Sequence, residues 1–265
     1  MEYLGIGFII VISVVLLFFR VIEPGYIAIY NKPLYIHFYP FPKKLSDLQQ
    51  NILQNEFVFY KNLTQKEKKY FEYRVADFIS EYEFIGKESL VVTDQMKVLI
   101  AATSTMLTFG MKNYLYEVFK RIIIYPEEYY STIDEEYHKG EYNPRMRTLV
   151  FSWKHFLEGY RIDNDNHNLG LHEFAHALNF QALKSNDTSM IIFKDMYTEI
   201  LEYIHRSENA ERFMQSDYFR IYAYTNRFEF IAVILEHFFE TPQQFKLKFP
   251  ELYHKVELMI NYKSS

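Results

Sequence analysis

His172-Glu173-Phe174-Ala175-His176 puts two imidazoles and a carboxylate into one short stretch of chain. On a helix, histidines at i and i+4 lie one turn apart on the same face, so both rings reach a single tetrahedral Zn²⁺. Glu173 then points about 100° further round the cylinder, where it can hold a water at the metal and take its proton. The motif supplies two ligands and a general base, and a third protein ligand has to come from elsewhere. Such a motif arises by chance in roughly one chain in a hundred of this size, so its surroundings must carry the reading. Leu169, Leu171, Phe174, Ala175, Leu178 and Phe180 are apolar almost all round, the pattern of a buried helix. Two histidines and a glutamate are costly to bury there without partners, and a metal serves all three.

The third ligand is not a histidine of the extended H-E-x-x-H-x-x-G-x-x-H type, because Asn179 and Ala182 stand at those places. A downstream glutamate is expected, and Glu199, Glu202, Glu208, Glu211, Glu229, Glu236 and Glu240 are the candidates. Glu229 stands out because Phe228 and the run Phe230 to Leu235 surround it with apolar side chains. A carboxylate embedded there is neutralised, paired or bound to metal. Glu236 is the runner-up, although His237 and Glu240 beside it suggest a solvated helix end.

The stretches Gly170 to His176, Glu229 to Val233 and Glu236-His237-Phe238-Phe239-Glu240 are similar to those of the MtfA (Mlc titration factor A) family of bacterial zinc peptidases. Val91 to Ala102 and Val150-Phe151-Ser152-Trp153 match as well, in the same order, and the likeness runs from about Lys61 to the C-terminus. The resemblance implies a gluzincin-like α+β domain similar to the catalytic domain of anthrax lethal factor. It implies that His172, His176 and Glu229 are the zinc ligands and that a tyrosine two helical turns before the glutamate belongs to the site, which is Tyr222 here. In a chain with 24 tyrosines, Tyr222 alone would read as a packed aromatic. It shares a face with Glu229 only if one helix runs through Thr225 and Asn226, and its phenol would then donate to an oxyanion. Asn179 departs from the family, whose members often carry an acidic residue there; an amide can hydrogen-bond a ligand but cannot raise its basicity as a carboxylate does.

Periodicity and capping residues predict helices over Gln65–Tyr82, Asp94–Phe109, Asn168–Leu183, Met190–His205, Arg227–Phe239 and Pro250–Tyr262. Arg121–Tyr125 and Thr148–Trp153 read as strands. The polar stretch Asp163 to Asn168 reads as a loop and N-cap, with His167 structural. The expected fold class is thus α+β, a mostly helical zincin-like metallopeptidase domain with a small sheet, preceded by one N-terminal transmembrane helix. A strand just before the motif helix suggests an edge to which an extended peptide would add by backbone pairing.

From Tyr3 to Phe19 no side chain is charged, and the run spans roughly 25 Å as a helix, the short end of what crosses a bilayer. A signal peptide would show a basic start and an A-x-A-like cleavage site, and neither is present. Arg20, Lys32, Lys43 and Lys44 follow the run, while only Glu2 precedes it. The positive-inside rule then puts the following domain in the cytoplasm, on a single-pass anchor in the cell membrane. Pro24, Pro33, Pro40 and Pro42 among aromatics suggest a juxtamembrane stalk, giving an anchor over 1–22, a stalk over 23–55 and a zinc peptidase domain over 56–265.

A net charge of −5 with mixed signs gives no case for nucleic-acid binding, and the absence of cysteine excludes disulfides and thiolate ligands. The expected function is a membrane-anchored metallopeptidase acting on peptide or protein substrates, with Zn²⁺, the base Glu173 and Tyr222. The alternative is a regulatory protein that sequesters a partner such as a transcriptional regulator, with a slow or structural zinc site. A glutamate placed like Glu173 favours catalysis, since a closed structural site needs no base.

Overall fold

The computed structural model describes residues 2–131, 135–161 and 165–263. The chain begins with α1 (Glu2–Leu17), one wider turn over Phe18–Ile22, and α2 (Glu23–Tyr30). Gly5–Tyr30 holds an 18-residue window of mean hydropathy 2.7 and is long and apolar enough to cross a membrane. Glu23 and Ile27 on this helix are buried, and Glu23 pairs with Lys112 of the following domain.

After an irregular stretch come α3 (Asp47–Glu56), α4 (Val58–Asn62), α5 (Gln65–Glu81), β1 (Glu83–Gly86), α6 (Asp94–Leu107), β2 (Arg121–Tyr125), β3 (Tyr129–Ser131), β4 (Glu136–His138), β5 (Gly140–Asn143) and β6 (Thr148–Ser152). Then follow α7 (Trp153–Arg161), α8 (Leu169–Lys184), α9 (Thr188–His205), α10 (Ser207–Ser216), a 3₁₀ turn over Ile221–Tyr224, α11 (Arg227–Glu240), α12 (Pro242–Lys248) and α13 (Pro250–Met259). The fold is mostly helical with one small mixed sheet and a separate β3–β4 hairpin. The expected helices and both expected strands are present, with ends shifted by a few residues.

The sheet order is β1-β2-β6-β5, with β1, β2 and β6 parallel and β5 antiparallel to β6. The strand expected at the edge, Thr148–Trp153, is therefore interior, and all five residues of β6 are buried. The edge beside the motif helix is β5, too short and polar to announce itself. Its close approach requires a glycine, because a Cβ on Gly140 would stand 2.8 Å from Leu169 Cδ1 and 3.1 Å from Glu173 Cγ.

The motif helix α8 lies in the middle of the domain, against α6, α7, α9, α11 and the β5–β6 hairpin. Asn168 caps it by accepting from the Leu171 N–H at 2.9 Å. Gly170 has no room for a side chain, since its Cβ would meet the Phe156 ring at 2.6 Å. Of the polar stretch before α8, residues 163 and 164 lie outside the described residues, whereas Asn168 is the cap as expected.

The segment 23–55, expected as a stalk, contributes to the core. Leu45 and Leu53 are buried in the main apolar cluster, and α3 packs on α6. The guanidinium of fully buried Arg74 donates to the carbonyls of Thr108, Met111 and Ile36 and to the Tyr39 hydroxyl, tying residues 36–39 to the domain. The prolines stop regular structure between α2 and α3 without separating the segment from the body.

Candidate metal centre

Three side chains from two helices converge. His172 and His176 sit one turn apart on α8, and Glu229 sits in the first turn of α11. His172 Nε2 is 3.0 Å from Glu229 Oε2, His176 Nε2 is 3.4 Å from Glu229 Oε1, and the two Nε2 atoms are 3.1 Å apart. A tetrahedral ion bound at the usual zinc–nitrogen and zinc–oxygen lengths separates its ligand atoms by about 3.3 Å. Each imidazole nitrogen thus meets one oxygen of the Glu229 carboxylate at close to coordination-shell spacing, and the three residues are a group that could hold a metal ion. Glu229 Oε2 is buried and lacks a hydrogen bond of good geometry despite its closeness to His172, as a ligand oxygen would. The other candidate glutamates are elsewhere: Glu199 pairs with Lys255, and Glu202, Glu208 and Glu211 face solvent.

The electrostatics fit a site built around a cation. Burial alone would lower the His172 pKa, but the carboxylates of Glu229 and Glu236 outweigh it and raise it to about 10. Burial works to raise the Glu229 pKa, yet both histidines bring it well below the usual carboxylate range. Glu173 is buried, and burial raises its pKa against the pull of His172, His176 and the Tyr142 backbone on β5.

Glu236 departs from its expected setting. It is 1% exposed rather than at a solvated helix end, because the α11 face that carries it turns onto the start of α8. Its Oε1 accepts from the Asn168 N–H at 2.9 Å, and its Oε2 accepts from Arg220 Nη2 at 2.6 Å and lies 3.4 Å from His172 Nδ1. It therefore stands behind His172 rather than within the His172–His176–Glu229 group, the usual place for a carboxylate that fixes a histidine ring. His237 is also buried, and burial, aided by the charges of Arg220 and His167, lowers its pKa to about 3. Asn179 is buried, and neither amide atom has a hydrogen-bond partner, so it supports no ligand.

Tyr222 does not share a helix with Glu229. Asn226 is extended at φ −160° and caps α11 through the Phe228 and Glu229 N–H groups, so the helix starts after it. The preceding 3₁₀ turn nonetheless folds back over the site, and the Tyr222 ring lies 5.9 Å from that of His172. Burial first, then Glu229, raises the phenol pKa to about 12, so it remains a donor at neutral pH.

A profile of the glucose-regulated metallo-peptidase M90 family matches residues 37–261. The chain belongs to this family. It is also 26% identical over 235 residues to the uncharacterized protein slr2042 of Synechocystis sp., a match covering 80% of this chain and 83% of that protein. Membership in a metallopeptidase family implies a metal ion, and among the described residues His172, His176 and Glu229 form a group that could hold one. The family match begins at residue 37, earlier than the likeness visible from Lys61, in keeping with the packing of residues 36–56.

Sequence reasoning missed Arg220, which precedes the 3₁₀ turn. Its Nη1 donates to the Asn166 carbonyl at 2.8 Å and lies 2.9 Å from His167 Nδ1, while its Nη2 holds Glu236. Nothing local marks it in sequence; only the burial of Glu236 calls for a cation.

Proposed function

We propose that the chain is a membrane-anchored, zinc-dependent metallopeptidase whose ligands are His172, His176 and Glu229. The observation that carries this reading is the convergence of those three donors at 3.0–3.4 Å, with Glu173 on the same helix. Two imidazoles and one carboxylate with an open fourth position are the donor set of a hydrolytic zinc site rather than a closed structural one. Zn²⁺ bound there would polarise a scissile carbonyl and make a water acidic enough to attack it near neutral pH.

The side chains do the rest. Glu173 takes a proton from the attacking water as its oxygen bonds to the carbonyl carbon. As the C–N bond breaks, Glu173 passes that proton to the departing amine. Tyr222 donates its O–H to the developing oxyanion. Glu236, held by Arg220, keeps His172 in the tautomer that leaves Nε2 free for the metal. The outer edge of β5 offers backbone groups to an extended peptide beside Glu173, giving affinity with little demand on sequence.

The apolar helix is proposed to anchor the enzyme in the cell membrane, with Arg20, Lys32, Lys43 and Lys44 holding the domain on the cytoplasmic side. The test of the function is peptide hydrolysis by the purified full-length chain. Turnover should disappear with a chelator and return with zinc. A zinc-loaded chain that cleaves nothing in a broad peptide library would defeat the proposal.

A further inference from the structure

Glu240, one turn beyond Glu236 at the end of α11, has no task in peptide hydrolysis. It lines a cavity of about 300 Å³ between α4, α6, the start of α8 and the end of α11. That volume is at the small end of the roughly 300–1,000 Å³ usual for small-molecule sites. Phe57, Phe59, Met106, Leu171, Phe239 and Tyr262 form apolar walls, and no basic side chain lines the cavity among the described residues. Both carboxyl oxygens of Glu240 are buried without a hydrogen-bond partner. Asn168 approaches from the wall but is shared, its amide donating to the Gly159 carbonyl and accepting from the Leu171 N–H, so that it and the Asn166 backbone offset the burial of Glu240 only in part.

A buried carboxyl with no partner is costly in an apolar setting, and this one also has acidic neighbours. Burial lifts its pKa to about 8 against the opposing pull of Asn168 and the Asn166 backbone, and the charges of Glu236 and Asp165 push it further up. The missing complement is therefore a cation with an apolar body. We propose that this cavity binds a small apolar amine, its ammonium paired with the Glu240 carboxylate and its hydrocarbon part against Phe57, Met106 and Leu171. Asn168 and Leu171 belong to both the cavity wall and the start of α8, so the guest lies behind the metal cluster and outside the peptide groove.

Isothermal titration of the detergent-solubilised full-length chain near neutral pH tests this, with benzylamine as probe and benzyl alcohol as its uncharged counterpart. Benzylamine should bind saturably at one per chain, and benzyl alcohol roughly tenfold more weakly or worse. Glu240→Gln preserves shape and should weaken benzylamine by about tenfold or more, bringing it level with the alcohol. Asn62→Trp alters an exposed residue at the cavity mouth and should abolish both. Wild-type affinity for the amine in either variant, or no saturable binding to the wild-type chain up to about 10 mM, would overturn the proposal.

Discussion

Replacing Arg220 with glutamine separates the support of the metal centre from the ligands themselves. Glu236 is 1% exposed, and Arg220 is its cationic partner at 2.6 Å. Breaking a fully buried pair costs about 3–5 kcal/mol. Here the Arg220 side chain is 22% exposed, and the Asn168 N–H remains on Glu236, which brings the expected loss for the metal-free chain to about 2–3 kcal/mol. The effect on the metal follows a separate route. Glu236 Oε2 is 3.4 Å from His172 Nδ1, a loose contact that depends on Arg220 to hold the carboxylate in place. Loss of such support lowers metal affinity roughly 10- to 100-fold, and the length of the contact favours the lower half of that range. Zinc titration against a competing chelator reads the affinity, and thermal unfolding in chelator reads the stability. Glu236→Gln should weaken zinc to a similar degree but still retain it when zinc is in excess. The double variant should be close to the weaker single, because the paired groups meet the same His172 Nδ1, Glu236 Oε2 at 3.4 Å and Arg220 Nη2 at 3.3 Å. Affinities within about twofold of wild type in both singles would refute the role given to this pair.

Tyr222→Phe should keep its zinc and its KM while kcat falls about 10- to 1,000-fold in steady-state kinetics; an unchanged kcat would make the tyrosine a packed aromatic only. Glu240 titrates at about 8 in the folded chain, against an ordinary value of 4.5. The unfolded chain therefore gives up this proton first, and stability falls as pH rises between those values, by up to about 5 kcal/mol. Glu240→Gln should flatten that slope in unfolding measured across the same window. The full-length chain should stay with membranes through a carbonate wash, and a C-terminal alkaline phosphatase fusion should be inactive; an active fusion would reverse the orientation.

The sequence made legible what is local. The histidine pair, its helix and the strands β2 and β6 follow from periodicity, and the polar stretch ending at Asn168 marks where α8 begins. Glu229 was legible because its apolar neighbours leave a carboxylate few other options. What escaped depends on contacts distant in sequence. Glu236 has polar neighbours in sequence but faces α8 in space, and Arg220 is significant only through contacts distant in sequence, to Glu236 and, at 3.3 Å, to His172 Nδ1. The polar strand β5 is defined by pairing with β6 and by its contact with Glu173 rather than by composition. The prolines before α3 suggested a stalk because sequence does not show that Arg74 binds that segment from α5.

We propose that this chain cleaves peptides with a metal held by His172, His176 and Glu229 and a base at Glu173. This is tested most directly by measuring zinc content and peptide turnover together in the wild-type chain and in Glu173→Gln. The account predicts one zinc per chain in both proteins, with turnover in the variant lower by roughly 100-fold or more. Equal turnover in the two proteins, or a Glu173→Gln chain that no longer holds zinc, would contradict it.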